Sequence, residues 1–369
     1  MRGDMGQIVQ DVAGPALVGL LLSLLVSVIL ILTERLHARF SHDHVVGVQK
    51  FHKRPVPRIG GAAIAVGYVL VWPWLPEATA ATWALIGLAG LPAFAAGLTE
   101  DLTKRVGVKA RLIATMISGL IFALLTGYVM NQVDLPGMDW LLSITVFGYL
   151  FTAFAMGGVA NAVNIIDGFN GLAAGSLLIM LAAFAWVGLQ VGDELVVSLA
   201  VLYGALVLGF FLVNFPFGRI FLGDGGAYFA GYLLATLGVL LPARNPEISA
   251  WAAILICGYP VIETLASMRR KASREGHSVG KPDRVHFHML AHRRYARRIA
   301  KGRKHLRNPA TSVVTWTLPL ITTAFVMISW NSALLSAMFF FATVAIYGWI
   351  YRIMSLNGPR LPGALARLL

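Results

Sequence analysis

Amide and carboxylate side chains gather in one short stretch of this sequence, NAVNIIDGFNGL at residues 161–172. The stretch contains Asn161, Asn164, Asp167 and Asn170, has no basic residue, and lies between two long apolar runs. A carboxylate in such surroundings is costly unless water or a cation compensates its charge. Asn161, Asn164 and Asp167 are spaced by three, so on a helix they would share one face. The pattern predicts a cation or ligand site, and the alternative is that these polar groups satisfy one another across helices.

A second carboxylate, Asp224, lies in a glycine-rich segment, FLGDGGAYF at residues 221–229. Carboxylate oxygens suit a hard cation, and the glycines leave room for phosphate or water. Gly-Asp-Gly is also typical of an ordinary turn. Taken alone, the segment leaves both interpretations open.

Charged residues are also concentrated in two segments that adjoin apolar runs. GLTEDLTKRVGVKAR at 97–111 contains Glu100 and Asp101 and then Lys109 and Arg111, while FHKRPVPRIGG at 51–61 places Arg58 before two glycines. Adjacent carboxylates on a helix point in different directions, so one of the pair would face any given partner. Cations beside glycines can bind phosphate. The alternative is a set of charges that only marks the ends of membrane spans.

The fifth segment is the basic stretch around PDRVHFHM at residues 282–289. Its histidines His286 and His288 alternate with Phe287 and follow Arg284. Imidazoles and a guanidinium suit a nucleotide or a pyrophosphate. A zinc site is the weaker alternative because no cysteine accompanies the histidines. A solvated basic loop would explain the arginines but not the alternating histidines.

The elements that must position these residues are membrane helices. The chain has 369 residues, of which 57% are hydrophobic and 13% charged, and its mean hydropathy is +0.73, which excludes an ordinary soluble domain. We predict an all-α, polytopic integral membrane protein that forms one transmembrane domain over residues 1–369. About eleven spans are expected, at 14–33, 59–76, 81–98, 112–130, 140–156, 171–190, 195–213, 227–242, 250–267, 310–330 and 334–352. The segment 227–242 is the weakest of them because it contains Gly231 and Gly238.

The basic residues predict the orientation of the chain. With these spans, every Lys and Arg except Arg2 and Arg244 falls on one face, which also carries all five polar segments. Loops rich in Lys and Arg stay in the cytoplasm, so the N-terminus is expected outside and the C-terminus inside, with residues 268–309 forming a large basic cytoplasmic loop. The net charge of +13 is thus one-sided and favours anionic lipids or phosphorylated substrates. Nucleic acid is excluded as a partner because no recognition fold is evident.

The five segments, in this order and across nearly the whole chain, resemble those of the polyprenyl-phosphate N-acetylhexosamine-1-phosphate transferases of glycosyltransferase family 4. The resemblance rests on HKRPVPRIGG, EDLTKRVGVKAR, NAVNIIDGFNGL, FLGDGG, and PVIETLASMRR followed by PDRVHFHM. The form of the histidine motif is similar to that of the branch that uses UDP-N-acetylhexosamines. The resemblance implies transfer of N-acetylhexosamine-1-phosphate from a UDP-sugar to undecaprenyl phosphate with release of UMP. This reaction starts a lipid-linked glycan such as O-antigen or capsule.

The resemblance also implies roles for individual residues. A divalent cation, Mg²⁺ with Mn²⁺ as a substitute, would be held by Asp224 and Asp167. Asp101 and Glu100, together with Asp167, form the implied catalytic set, in which Asp101 binds or deprotonates the lipid phosphate. The implied substrate-binding residues are Arg58, Lys109 and Arg111 for phosphates, Arg284, His286 and His288 for the nucleotide sugar, and Asn161, Asn164 and Asn170 for orienting carboxylates or contacting the sugar and base.

The location and partners follow from the same resemblance. It implies a multi-pass protein of the bacterial inner membrane with its active site at the cytoplasmic face, and a homodimer is implied by the family alone. The sequence departs from the family pattern at Glu100 and Glu263, where aspartate is usual, and at Asn170, Ala227 and Met289. These departures leave a catalytically inactive relative as an alternative. A transporter of anionic solutes is a second alternative, although the spans are almost free of ionisable groups.

Overall fold

The computed structural model describes residues 5–43, 56–272 and 285–356, and in these residues the chain is almost entirely helical. The protein is an all-α polytopic membrane protein. The helices of the first half are α1 (Met5–Leu32), α2 (Glu34–Ser41), α3 (Gly60–Leu70), α4 (Glu77–Thr103), α5 (Val108–Thr126), α6 (Pro136–Leu142), α7 (Thr145–Ile166) and α8 (Leu172–Val191). Those of the second half are α9 (Glu194–Asn214), α10 (Gly223–Arg244), α11 (Ala250–Ile256), α12 (Gly258–Ala272), α13 (Phe287–Ala291), α14 (Arg297–Ile299), α15 (Arg307–Thr315), α16 (Thr317–Ser329) and α17 (Ala333–Leu356).

Nine helical stretches of the described chain are long and apolar enough to cross a membrane, or ten if the bent pair α11 and α12 is one crossing. The predicted count of eleven therefore stays a prediction. The difference lies at 59–76, where α3 has 11 residues and a 3₁₀ turn, Trp72–Trp74, follows it. At about 1.5 Å per residue such a helix covers only about half of a hydrocarbon core. Pro73 helps to end the helix because it has no N–H to donate.

Helix α10 is the centre of the bundle, although its segment was the weakest of the predicted spans. It packs against α3, α4, α7, α8 and α9, and nearly all of its side chains are buried. Glycine makes this close packing feasible. A Cβ on Gly97 of α4 would lie 2.5 Å from the backbone nitrogen of Gly225, and one on Gly61 of α3 would collide with Gly226. These glycines therefore bring three helix backbones together at one point. Of the two glycines that weakened the prediction, Gly231 packs closely against Ala160 of α7, whereas a Cβ on Gly238 would meet no atom of the described chain within 4 Å.

Two interruptions of the helices create space beside α10. The turn 167–171 separates α7 from α8, and Gly171 there has a φ of +73°, which favours glycine. Helices α11 and α12 meet at Cys257 with a bend of 81°. Pro260 accounts for part of this bend because its missing N–H cannot donate to Ile256. Both interruptions adjoin the cavity described below.

Candidate active site

Asp224 is the centre of the charged cluster. It lies in the first turn of α10, and its Oδ1 accepts hydrogen bonds from Arg58 Nη2 at 2.6 Å and from Asn164 Nδ2 at 3.1 Å. Its Oδ2 pairs with Arg111 Nη1. Residues from three other predicted segments thus converge on this carboxylate. The helix N-terminus and the two guanidinium groups place positive charge around that carboxylate.

Backbone hydrogen bonds hold Arg58 beside Asp224. Phe221 N donates to Pro57 O at 2.8 Å, and Gly60 N donates to Phe221 O at 2.9 Å. On the other side, Arg58 N donates to Ser41 O at 2.8 Å, next to the two-residue strand pair β1 (His42–Asp43) and β2 (Val56–Pro57). The segment before α3 is therefore fixed to the segment before α10. This contact explains why two segments far apart in sequence act at one place.

Asp101 lies behind Asp224 and is not part of the cavity wall. Its side chain is 1% exposed, and its two oxygens accept the backbone N–H groups of Asp224 at 3.0 Å and Gly225 at 2.8 Å. Arg58 Nε lies 3.4 Å from Asp101 Oδ1. Asp101 therefore caps the N-terminus of α10 from a neighbouring helix, which satisfies two N–H groups that have no partner within α10.

Glu100 and Lys109 have different surroundings from those of Asp101. Glu100 lines the cavity, and its Oε2 accepts the backbone N–H of Val106 at 2.8 Å, so it also closes the turn between α4 and α5. As expected for adjacent helical carboxylates, only one of the pair faces the cavity. Lys109 is exposed and does not line the cavity. Its predicted phosphate-binding role stays a prediction, and the structure brings Arg111, but not Lys109, to Asp224.

Asp167 follows α7 and points a partly exposed carboxylate into the cavity. Among the described residues, no side chain or backbone group donates a hydrogen bond to it. Desolvation by the surrounding protein raises its pKa to about 7; Arg58 acts in the opposite direction, and the charges of Asp224 and Asp101 add to the increase. This carboxylate is the one the sequence predicted to need an external cation.

The donor set fits Mg²⁺. Asp167 has unused oxygen lone pairs, and Asp224 Oδ2 has one hydrogen-bond donor and can accept a second partner. Within the described residues no three His, Cys, Asp or Glu side chains are grouped as metal ligands. Mg²⁺ usually takes one or two carboxylates and completes its coordination with phosphates and water. The carboxylates of Asp101, Asp167 and Asp224 lie near the guanidinium groups of Arg58 and Arg111, so the ionised cluster has one more negative than positive charge. A bound divalent cation would make the cluster net positive, which suits an anionic substrate.

The three amides of the opening segment serve different contacts. Asn164 binds Asp224, and its Oδ1 accepts the Tyr228 hydroxyl at 3.4 Å. Asn161 donates to Thr115 Oγ1 and to Gly157 O, both at 2.8 Å, so it joins α7 to α5. Asn170 Nδ2 donates to Pro216 O at 2.9 Å. One amide thus contacts a carboxylate and the other two connect chain segments, as the alternative interpretation of the segment expects. The cation or ligand site stays a prediction.

The histidines belong to the same cavity, and the His288 ring lies against the turn that carries Asp167, with its centroid 5.7 Å from that of Phe169. His286 and His288 both line the cavity, and their rings stack in parallel with centroids 5.3 Å apart. His286 Nδ1 lies 2.9 Å from Oε1 of the buried Glu263, and His288 Nδ1 lies 3.5 Å from the Tyr259 hydroxyl. Arg284, the third member of the predicted group, lies outside the described residues.

One cavity of about 1180 Å³ connects these groups. Its polar end includes the side chains of Arg58, Glu100, Arg111, Asn161, Asn164, Asp167, Asn170, Asp224, His286 and His288. Its other walls are apolar and include Leu112, Phe151, Phe154, Val159, Ile254 and Leu265. Phe154 is 62% exposed and Leu265 54% exposed, so the apolar part reaches the lipid-facing surface between α7 and α12. The cavity can therefore accept a ligand with an anionic head and a long hydrocarbon tail.

Sequence reasoning missed three polar residues of this site. Tyr228 lies one turn after Asp224 and could have been found from that spacing. Asn308 Oδ1 accepts the backbone N–H of Asn170 at 2.7 Å, and Asn214 Oδ1 accepts that of Gly171 at 2.6 Å. These two asparagines shape the turn that carries Asp167. No local pattern indicates them, because each acts on a distant segment.

Comparison with known proteins places these features in context. The family described as "Glycosyl transferase family 4" matches residues 83–241. A "Probable undecaprenyl-phosphate N-acetylglucosaminyl 1-phosphate transferase" of Bacillus subtilis (strain 168) is 29% identical over 242 residues, 65% of this chain and 66% of the relative. A "Phospho-N-acetylmuramoyl-pentapeptide-transferase" of Enterococcus hirae is 32% identical over 260 residues, 65% of this chain and 77% of the relative. The "Undecaprenyl-phosphate alpha-N-acetylglucosaminyl 1-phosphate transferase" of Escherichia coli (strain K12) is 27% identical over 261 residues, 66% of each chain. The matched part of this chain thus spans about two thirds of the first of these relatives.

Proposed function

Because the chain belongs to glycosyl transferase family 4, we propose that it transfers N-acetylhexosamine-1-phosphate from a UDP-sugar to undecaprenyl phosphate and releases UMP. N-acetylglucosamine is the first sugar to test, since two of the similar proteins carry that sugar in their names. The product would start a lipid-linked glycan of the cell envelope.

The shape and polarity of the cavity carry the proposal. Its charged end holds Arg58, Arg111 and three carboxylates, and its apolar part opens toward lipid at Phe154. A polyprenyl phosphate has the same division between anionic head and apolar chain. A water-soluble acceptor would have no use for the apolar walls, because their burial is favourable only against hydrocarbon.

The reaction needs positioning more than proton transfer. An oxygen of the lipid phosphate attacks the phosphorus that bears the sugar, a new P–O bond forms, and the P–O bond to UMP breaks, with UMP leaving with the electron pair. The attacking phosphate is already an anion at neutral pH, so no base is required for the balance of protons. What the site must supply is neutralisation of two approaching anions and their alignment.

The residues of the charged end of the cavity suit that task. Arg58 and Arg111 would neutralise phosphate oxygens; Arg111 Nε is buried and donates to no described acceptor, so it has a hydrogen bond to offer. Asp167 and Asp224 would hold Mg²⁺, which would stabilise the negative charge on the phosphoryl group during its transfer. Asp101 would act as a positioning residue that fixes Asp224 through the first turn of α10. Glu100 faces the cavity and is the member of the acidic pair that can touch substrate.

The charged end of the cavity is proposed to lie at the cytoplasmic face of the inner membrane, with the C-terminus on the same side. Lys109 offers a direct test because its side chain is exposed at that end of the bundle. A Lys109→Cys variant should react with a membrane-impermeant maleimide in inverted vesicles and not in intact spheroplasts. The reverse result would refute the orientation. Cys257 is buried and serves as the internal background.

The function is tested with purified protein in nanodiscs, undecaprenyl phosphate, Mg²⁺ and a panel of UDP-N-acetylhexosamines, with UMP release as the signal. Release with one sugar that EDTA abolishes and Mg²⁺ or Mn²⁺ restores is the expected result. Omission of the lipid phosphate separates transfer from hydrolysis, because transfer stops and hydrolysis continues. No UMP from any sugar, in protein that unfolds cooperatively on heating, would refute the proposal and favour an inactive relative or a transporter of anionic solutes.

A further inference from the structure

We propose that Glu263, a residue outside the cavity, is a positioning residue that fixes His286 for the donor substrate; this inference rests on the proposed function. Glu263 lies on α12 and is 0% exposed. A buried carboxylate is costly unless every lone pair has a partner. The arrangement of its partners shows what it holds in place.

Four donors converge on this carboxylate. Oε1 accepts His286 Nδ1 at 2.9 Å and Arg270 Nη2 at 3.2 Å. Oε2 accepts the Phe287 backbone N–H at 3.1 Å and the Tyr347 hydroxyl at 2.9 Å. The donors come from α12 itself, from the start of α13 and from α17. Glu263 therefore connects α12, α17 and the start of α13, next to His286 in the cavity wall.

The chemistry of the carboxylate determines which nitrogen of His286 carries a proton. An ionised carboxylate only accepts hydrogen bonds, so Nδ1 must be the donor. With Nδ1–H committed to Glu263, Nε2 is the ring nitrogen left for a ligand in the cavity. The parallel stack of His286 and His288 extends this fixed orientation to the second ring.

The Phe287 contact shows that Glu263 acts on the backbone as well as on the ring. The bond from Phe287 N fixes the residue between the two histidines, and the Phe287 ring packs against Tyr347 with centroids 5.3 Å apart. Because successive side chains then have set directions, both imidazoles face the cavity while Phe287 is buried behind them. Glu263 would thus position residues that touch the nucleotide diphosphate of the donor, while it does not itself line the cavity.

Glu263→Gln is the decisive variant because it keeps the shape and removes the charge. The amide offers one oxygen and one NH₂, so two of the four donors lose their acceptor. We expect the KM for the UDP-sugar to rise about tenfold or more, while the KM for undecaprenyl phosphate changes by less than about twofold. Glu263→Asp keeps the carboxylate and should restore the donor KM to within about threefold of the wild type. Equal losses for both substrates, or no rescue by Asp, would refute a positioning role.

Histidine NMR tests the same inference without turnover. In ¹⁵N-histidine-labelled protein, the His286 signal, assigned with His286→Asn, should show a protonated Nδ1 in the wild type and a mixture of tautomers in Glu263→Gln. An unprotonated Nδ1 in the wild type would overturn the inference. If no UDP-sugar releases UMP, the proposed function fails, while this spectrum and the affinity for UDP measured by calorimetry still decide the role of Glu263.

Two further variants separate positioning from general loosening of the segment. Tyr351→Phe removes the hydrogen bond from its hydroxyl to Val285 O, 2.9 Å long, and leaves Glu263 untouched, so it should not alter the His286 tautomer. Tyr347→Phe removes one donor from Glu263 and should raise the donor KM by only about twofold to fivefold. If Glu263→Gln does not fold, this milder variant carries the test, and an unchanged donor KM would then contradict the proposal.

Discussion

Asp101→Asn tests whether Asp101 acts by fixing α10 or by direct chemistry. The asparagine can accept one of the two backbone N–H groups, and its NH₂ would face the other, which leaves a buried donor unsatisfied at a cost of about 1–3 kcal/mol. Loss of the negative charge at the N-terminus of α10 adds about 0.3–1 kcal/mol. The bonds at stake are those from Asp224 N at 3.0 Å and Gly225 N at 2.8 Å. We therefore expect a destabilisation of about 1.3–4 kcal/mol, or a fall of about 3–8 °C in Tm at roughly 2 °C per kcal/mol.

The assay combines thermal unfolding in nanodiscs with Mg²⁺ titration of UMP release. Asp101→Asn should lower Tm and weaken the apparent affinity for Mg²⁺, because Asp224 moves with the first turn of α10. Glu100→Gln is the matched control because it neutralises the adjacent carboxylate. Among the described residues, Glu100 accepts only one backbone N–H, that of Val106 at 2.8 Å, and the glutamine oxygen can still accept it. Glu100→Gln should therefore change Tm by less than about 2 °C. Loss of activity in Asp101→Asn with unchanged Tm and unchanged Mg²⁺ affinity would refute the positioning role and favour direct participation.

Three other perturbations have defined outcomes. Protonation competes with a cation at Asp167, whose pKa is raised to about 7, so calorimetry should show Mg²⁺ binding that weakens below that pH, and Asp167→Asn should remove this dependence. In the metal-free protein, the folded state keeps the Asp167 proton up to a pH of about 7, whereas the unfolded chain releases it at about 4. The free energy of unfolding should therefore fall as the pH rises from about 4 to about 7, and a constant Tm over that range would contradict the raised pKa of Asp167. Gly97→Ala should lower Tm strongly or prevent folding, since its Cβ would lie 2.5 Å from Gly225 N, and a Tm within about 1 °C of the wild type would disprove this close packing. At the opposite end of α10, Arg244 Nε donates a hydrogen bond to Asp193 at 2.8 Å. Asp193→Asn should therefore lower Tm without changing the KM for either substrate. A selective rise of one KM would show that this end of the bundle contributes to substrate binding.

The sequence by itself determined the class of the fold and the membership of the family. Composition alone required a membrane protein of many helices, because an apolar chain with so few charges cannot be solvated otherwise. The family resemblance, carried by five short segments, is confirmed by the family match and by the relatives. Most of the predicted polar residues line one cavity, because a membrane core confines charged side chains to few places.

Local pattern could not determine which carboxylate does what. Glu100 and Asp101 are neighbours in sequence, yet one faces the cavity and the other caps a helix that begins more than a hundred residues later. The length of α3 was also misjudged, since hydropathy averages over the break at Trp72–Trp74. Helix α10 was underrated because glycine lowers hydropathy but permits the closest packing.

The role of Glu263 needed the tertiary structure most of all. In sequence it is one substituted acidic residue near the end of an apolar run, and its four donors come from segments up to 84 residues away. Sequence patterns report periodicity within one element, whereas a buried carboxylate is explained only by the donors that surround it in space. The sequence thus determined which chemical groups are available and on which kind of scaffold, and only the packing of the helices decided which of those groups meet.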